Sequence, residues 1–180
     1  MTRLLKLDNF FAGFARFCGV LACIAMILLL FNVFYDVVMR YAFNDVSIAM
    51  QELEWHLFSA VFLLGIPYAI RENSHVRVDI LYDRWPLKTQ ALVNLCGAII
   101  FVLPFAILVT YYSVSFAFDA FQMGEGSGDP GGLPARWLIK SLIPFSFMMI
   151  AFASFGMITT AMLQIKQPED APDLSNKNLL

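Results

Sequence analysis

Three polar residues stand at helical spacing near the end of the first long apolar segment. Asn32, Asp36 and Arg40 are four residues apart, so they line one face of a helix. Ionisable groups deep in an apolar segment are candidates for an ion path. Asp36 and Arg40 can instead pair along the helix, and an arginine near the segment's end can reach towards water. The spacing therefore favours a structural polar seam against a neighbouring helix over an ion path.

Two glutamates at the start of the second apolar segment are candidates for acid–base chemistry. Glu52 and Glu54 are about 200° apart around a helix, so they are poorly placed to share one site. We expect one to meet water or a partner protein and the other to meet Arg40 or another basic group. The sequence contains no nucleophile–base set, metal-ligand spacing or phosphate loop. It therefore predicts no catalytic residue and no metal site, as in a protein that is not an enzyme.

The histidines and cysteines do not form a cofactor site. His56 and His75 would lie about 28 Å apart along a helix, so they cannot bind one haem iron within this chain. Cys18, Cys23 and Cys96 fall inside apolar segments, where thiols are unreactive packing groups. We expect no cofactor in this chain.

The composition is that of an integral membrane protein. Of 180 residues, 59% are apolar and 14% are charged, and a soluble domain of this length cannot bury so much apolar surface. A net charge of −2 does not indicate a nucleic-acid partner. Since a helix needs about 20 apolar residues to cross a bilayer, we predict an all-α membrane protein with four transmembrane helices. The predicted spans, within one domain of residues 1–166, are 17–39, 48–71, 88–118 and 138–164.

The second span is short. Only residues 57–70 are free of ionisable groups, and a helical segment of that length rises about 21 Å. Glu52, Glu54 and His56 must therefore lie in the outer interface or against a partner. Trp55, whose side-chain type settles at headgroup level, lies among them.

Basic residues are sorted to one side of the predicted bundle. Four spans place both termini on one side, and nine of the 12 basic residues fall there: Arg3, Lys6, Arg16, Arg71, Arg77, Arg84, Lys88, Lys166 and Lys177. Basic residues favour the cytoplasm, so we predict that both termini are cytoplasmic. Residues 3–16 are expected to form a short amphipathic interfacial helix, or alternatively a frayed basic tail. Residues 167–180 are expected to form a polar cytoplasmic tail.

The connection between the third and fourth spans is rich in turn-forming residues. Residues 124–134 contain five glycines and two prolines, which predicts a chain of turns. Asp119, just before it, can pair with Arg136 or Lys140. Acidic residues on this outer side outnumber the three basic ones: Asp36, Asp45, Glu52, Glu54, Asp119, Glu125 and Asp129.

Four segments resemble the small membrane subunit of tripartite ATP-independent periplasmic (TRAP) transporters: Arg40–Phe43, Gln51–Trp55, Gly65–Arg71 and His75–Asp79. The four-span plan with internal termini extends this resemblance over the whole chain. Glu52 and Glu54 are separated, whereas a contiguous acidic pair is common in the family. Which of the two takes the family's role is therefore open.

The resemblance implies a scaffold subunit in the bacterial inner membrane. In that family, a periplasmic solute-binding protein captures a solute, often an organic acid, and docks on a membrane module. The large permease subunit of that module carries the solute and sodium sites, and the small subunit widens the fixed scaffold and helps to hold the binding protein. We therefore expect sodium to bind the large subunit and not this chain, whose partners are that subunit, the binding protein and membrane lipid.

Two groups of residues are assigned to these contacts. Subunit-interface or structural polar roles are expected for Asn32, Asp36, Arg40, Glu52, Glu54, Trp55, His75, Arg77 and Asp79. Of these, the last three are expected to stabilise the inner loop rather than bind solute. Docking of the binding protein is expected at Glu125, Asp129 and Arg136.

Two other functions compete with this interpretation. The first is a membrane anchor of a respiratory complex, with a haem completed by a partner's histidine, which would show a Soret band. The second is a self-sufficient small channel or exporter, with Asn32 and Asp36 lining a pore, which would transport after reconstitution alone.

Overall fold

The computed structural model describes residues 2–72, 82 and 84–166. Helix α1 spans Thr2–Ala42, α2 Ile48–Arg71, α3 Leu87–Gly97, α4 Leu103–Gln122 and α5 Trp137–Lys166. A π-helical turn, Ala98–Val102, joins α3 to α4, so the two form one rod. The described chain therefore has four helices long and apolar enough to cross a membrane, which confirms the all-α, four-span prediction.

Helix α1 is continuous where the sequence predicted a separate interfacial helix before the first span. Residues 3–16 are helical, as predicted, but they run unbroken into the span, and the 41 residues rise about 60 Å. No proline interrupts α1, and one buried stripe runs along both parts, with steps of three or four residues and one step of seven from Ala25 to Asn32. The stripe consists of Asp8, Ala12, Ala15, Cys18, Ala22, Ala25, Asn32 and Asp36. The first turns of α1 therefore pack on the bundle, where Phe11 stacks on Phe155 at 6.5 Å between ring centroids.

The π-helical turn in the third span lies directly before Pro104. A proline has no N–H to donate to the carbonyl one turn back, so regular α-helical bonding cannot continue through it. The turn accommodates this misfit, because the Leu103 amide donates to the Ala98 carbonyl five residues earlier. The span therefore stays continuous past its proline.

Helix α5 packs against each of the other four helices. Many of the side chains buried between helices are small, including Ala91, Ala98, Ala106, Ala153 and Ser154. Lipid is as apolar as a protein core, so membrane helices associate by close approach and not by hiding phenylalanine. Gly156 shows how close that approach is, since a Cβ there would lie 2.9 Å from the Cβ of Phe11.

The bundle has two polar ends. The start of α1 meets the ends of α2 and α5 at one end, here called the inner end, where Asp8 contacts Arg71 and Thr160. The outer end holds the α1–α2 connection and the outer loop, which is defined as residues 123–136 between α4 and α5. Which end faces the cytoplasm is a prediction from the charge count.

Candidate functional site

The Glu52 carboxylate joins the first turns of α2 to the outer loop. One oxygen, Oε1, accepts hydrogen bonds from Ser127 Oγ at 2.5 Å and from Arg136 Nη2 at 3.3 Å. The other, Oε2, accepts from the Leu133 backbone amide at 2.6 Å. The Glu52 side chain is only 8% exposed. The sequence expectation that one of the two glutamates meets a basic group is fulfilled by Glu52, with Arg136 rather than Arg40.

Backbone hydrogen bonds fold the outer loop around this carboxylate. Ser127 N donates to the Leu133 carbonyl at 3.0 Å, and Arg136 N donates to the Glu125 carbonyl at 2.8 Å. A Cβ on Gly132 would lie 2.3 Å from Ser127 Oγ and 2.8 Å from Glu52 Oε2, so only glycine fits there. The loop is an ordered set of turns, as its composition predicted.

One residue of the outer loop has a strained backbone. Ala135 has φ 61°, a left-handed conformation that costs a residue with a Cβ roughly 1 kcal/mol. It lies directly before Arg136, whose side chain reaches Glu52. The bonds to Glu52 help to hold this strained segment in place.

Of the three residues predicted for docking, two already have partners within the chain. Glu125 forms an ion pair with Lys140, whose ammonium also lies 4.2 Å from the ring centroid of Phe116. Arg136 is paired with Glu52. Asp129 is exposed, and its backbone amide donates to Ser127 Oγ at 3.1 Å. The loop thus joins Glu125 to Arg136 through a backbone hydrogen bond, and none of the described residues pairs with the Asp129 carboxylate.

The pairing suggested for Asp119 is wrong. Within the described chain, Lys140 pairs with Glu125 and Arg136 pairs with Glu52. Asp119 is exposed on α4, before the chain turns into the loop. Asp119 is close to Arg136 and Lys140 in sequence but pairs with neither, because the loop folds back towards α2.

The polar seam of α1 contacts the start of α2. Asn32 Nδ2 donates to the Met50 carbonyl at 2.9 Å, and Asp36 pairs with Arg40 one turn on. Asn32 and Asp36 are both buried. The arrangement agrees with a seam between helices, as the spacing predicted.

Glu54 and Trp55 lie on another side of α2 from the Glu52 contacts. Both line an apolar groove against α1, and none of the described residues forms a hydrogen bond or ion pair with the Glu54 carboxylate. The ring of Trp55 contacts the tilted ring of His56, with centroids 3.9 Å apart. The two glutamates are therefore separated as their angular spacing predicted, one facing inwards and one facing the groove.

Asp8 at the inner end is a buried carboxylate whose partners the sequence analysis did not identify. It receives hydrogen bonds from Arg71 and from the hydroxyl of Thr160, the latter at 2.6 Å, and Thr159 lies 3.3 Å away. It is the only acidic residue before Asp36, and the topology places it beside the end of α2. These two features together were the sequence signal that could have identified the pairing of Asp8. His75, Arg77 and Asp79, predicted to stabilise this inner side, lie outside the described residues.

Among the residues that the structure describes, no group of three or more His, Cys, Asp or Glu side chains is placed to hold a metal ion. The geometry instead provides two ion-pair networks, one at each end of a bundle with apolar walls.

Comparisons with known proteins identify a family whose model matches most of the chain. Residues 29–164 match the family model described as tripartite ATP-independent periplasmic transporters, DctQ component. The chain is 29% identical over 112 residues to "Putative TRAP transporter small permease protein" of Haemophilus influenzae (strain Rd), covering 62% of this chain and 70% of that protein. It is 28% identical over 120 residues to "Sialic acid TRAP transporter permease protein SiaT" of Haemophilus influenzae (strain 86-028NP). That match covers 64% of this chain and 18% of the longer protein.

Proposed function

This chain belongs to the DctQ-component family of tripartite ATP-independent periplasmic transporters and is a multi-pass membrane subunit of such a transporter, and we propose that it is the scaffold on which the other two components meet. In this proposal it packs against the large permease subunit and helps to dock the periplasmic solute-binding protein. The large subunit carries the solute and sodium sites, and the sodium gradient drives the import of an organic acid or similar small solute. This chain does no chemistry itself.

The observation that carries the docking role is the outer loop held by Glu52. Docking a rigid surface loses less conformational entropy than docking a flexible one. Three hydrogen bonds to one carboxylate fix the loop, while Asp129 at its surface remains exposed. The acidic excess of the outer end favours a binding protein with basic residues on its facing rim, through long-range steering that salt weakens.

The distribution of charge supports a scaffold rather than a solute path. The buried ion pairs of the described chain lie at two ends of the bundle, represented by Glu52 and Arg71. These residues are 19 positions apart on α2, which is about 28 Å of helix. No broken helix in the described chain brings polar groups together midway between them, as it does at transporter substrate sites.

The test is solute uptake into liposomes that contain the large subunit and this chain, with the binding protein at limiting concentration. Asp129→Lys should slow uptake several-fold at low ionic strength, and excess binding protein should restore it. Asp119→Lys makes the same charge change at an exposed position outside the Glu52-bound loop, so it weakens only the long-range steering and should slow uptake less than Asp129→Lys does. Unchanged uptake for Asp129→Lys would show that the loop is not the dock. Full binding-protein-dependent uptake by the large subunit alone would remove the scaffold role itself.

A further inference from the structure

An apolar groove runs between α1 and α2 on the outer half of the bundle. Its volume is 660 Å³. Its α1 wall consists of aliphatic and aromatic side chains between Leu29 and Val37, and its α2 wall consists of Glu54, Trp55 and Phe58. Glu54 is the one ionisable residue of the described chain that lines it.

The exposed apolar walls of this groove are ordinary for a membrane protein, but Glu54 is not. A phenylalanine facing lipid is in a favourable environment, so exposure alone indicates no partner. A carboxylate beside apolar side chains loses hydration unless a cation or hydrogen-bond donor compensates it. Glu52, two residues earlier, has three donors, whereas Glu54 is half-buried and has none among the described residues. The Glu54 carboxylate therefore has no compensating positive charge from any described residue of this chain.

Resting on the proposed function, we propose that the groove receives a transmembrane helix of the large permease subunit, and that a lysine or arginine on that helix pairs with Glu54. Glu54 lies six residues along α2 from its first residue, about 9 Å into the helix. A basic side chain near the outer end of a neighbouring helix can reach this depth with its apolar stem against Trp55 and Phe58.

Two other occupants match the charge less well. Among its described residues, a second copy of this chain offers no free cation at this level, because Arg40, Arg136 and Lys140 are already in ion pairs. A zwitterionic lipid would bring an ammonium group, but the phosphate of the same headgroup would then lie close to the Glu54 carboxylate. A fixed basic side chain brings the positive charge alone.

The first experiment identifies the occupant by photo-crosslinking in the assembled complex. A benzophenone amino acid replaces Phe58 in the groove or, as a matched control, Phe101, which is 71% exposed on the π-helical turn. We expect adducts with the large subunit at position 58, with a yield several-fold above that at position 101. An equal or lower yield at 58, or adducts there with lipid or a second copy, would overturn the assignment.

The second experiment tests the charge. Glu54→Lys should lower co-purification of the large subunit by at least about tenfold, and Glu54→Gln should lower it less. Asp119→Lys makes a charge reversal of the same size at an exposed position of α4, away from the groove, and should leave co-purification near the wild-type level. Exchange of the basic residue in the crosslinked helix for glutamate should restore the complex of Glu54→Lys.

The two proposals fail in different ways. If the wild-type chain does not co-purify with the large subunit, the scaffold function fails. If it does co-purify but Glu54→Lys assembles normally, only the assignment of the groove fails.

Discussion

Arg71 at the end of α2 donates to Asp8 near the start of α1 from both terminal nitrogens, each at 2.7 Å from a carboxylate oxygen. The two residues are 63 positions apart, and Thr160 of α5 bonds to both. Asp8 is buried and Arg71 is mostly covered, with side chains 4% and 11% exposed. It fixes three helices at the inner end of the bundle.

Removing one member of this pair should destabilise the protein strongly. Asp8→Asn or Arg71→Gln leaves the other group unpaired, which lowers the free energy of unfolding by about 3 kcal/mol. The double variant should lose less than the sum of the two, and thermal melting of the purified complex measures that coupling. Arg16→Gln removes an exposed charge from α1 and serves as the control. Additive effects of Asp8→Asn and Arg71→Gln would contradict the direct pairing.

Glu52 should control the rigidity of the outer loop. Glu52→Ala removes the acceptor of the Leu133 amide, so hydrogen exchange at that amide should accelerate about tenfold or more. Glu54→Gln, two residues along the same helix, should leave the exchange of Leu133 unchanged because Glu54 does not contact the loop. Hydrogen exchange with mass spectrometry of residues 123–136 measures both variants. Equal acceleration in the two would mean that Glu52 does not hold the loop.

Gly132 should not accept a side chain. Its Cβ would overlap Ser127 and Glu52, so Gly132→Ala should displace the loop and lower the free energy of unfolding by about 1–3 kcal/mol. Gly128→Ala is the matched control, since a Cβ there meets nothing within 4 Å. Melting temperature and affinity for the binding protein are the readouts. Wild-type values for Gly132→Ala would show that the loop is not closely packed on Glu52.

Asp79 is predicted to act in assembly and not in solute binding. On the predicted topology it faces the cytoplasm, whereas solute arrives from the other side. Asp79→Ala should reduce the amount of assembled complex while the KM for solute of the remaining complexes stays unchanged. Lys88→Ala, at an exposed position near the start of α3, provides the control. A large KM change at normal assembly would refute this role.

The sequence by itself determined the architecture of the bundle. Composition and the lengths of the apolar segments were sufficient to predict four membrane helices, because a bilayer requires continuous apolar helices and allows few other structures. Local spacing was sufficient to predict that Asp36 can pair with Arg40 and that Glu52 and Glu54 face different ways, since both depend only on the helical repeat.

Only the tertiary structure decided which distant groups meet. The outer loop folds back on α2, so Arg136 pairs with Glu52 and not with Asp119. The spacing of residues along the chain does not specify this path. Likewise the first turns of α1 pack against α5 through Asp8, although their pattern also suits a helix lying on a membrane surface. An amphipathic pattern indicates that the apolar face of a helix must be shielded from water, but either lipid or protein can shield it. The choice depends on the ion pairs and close contacts that form only when the helices are assembled.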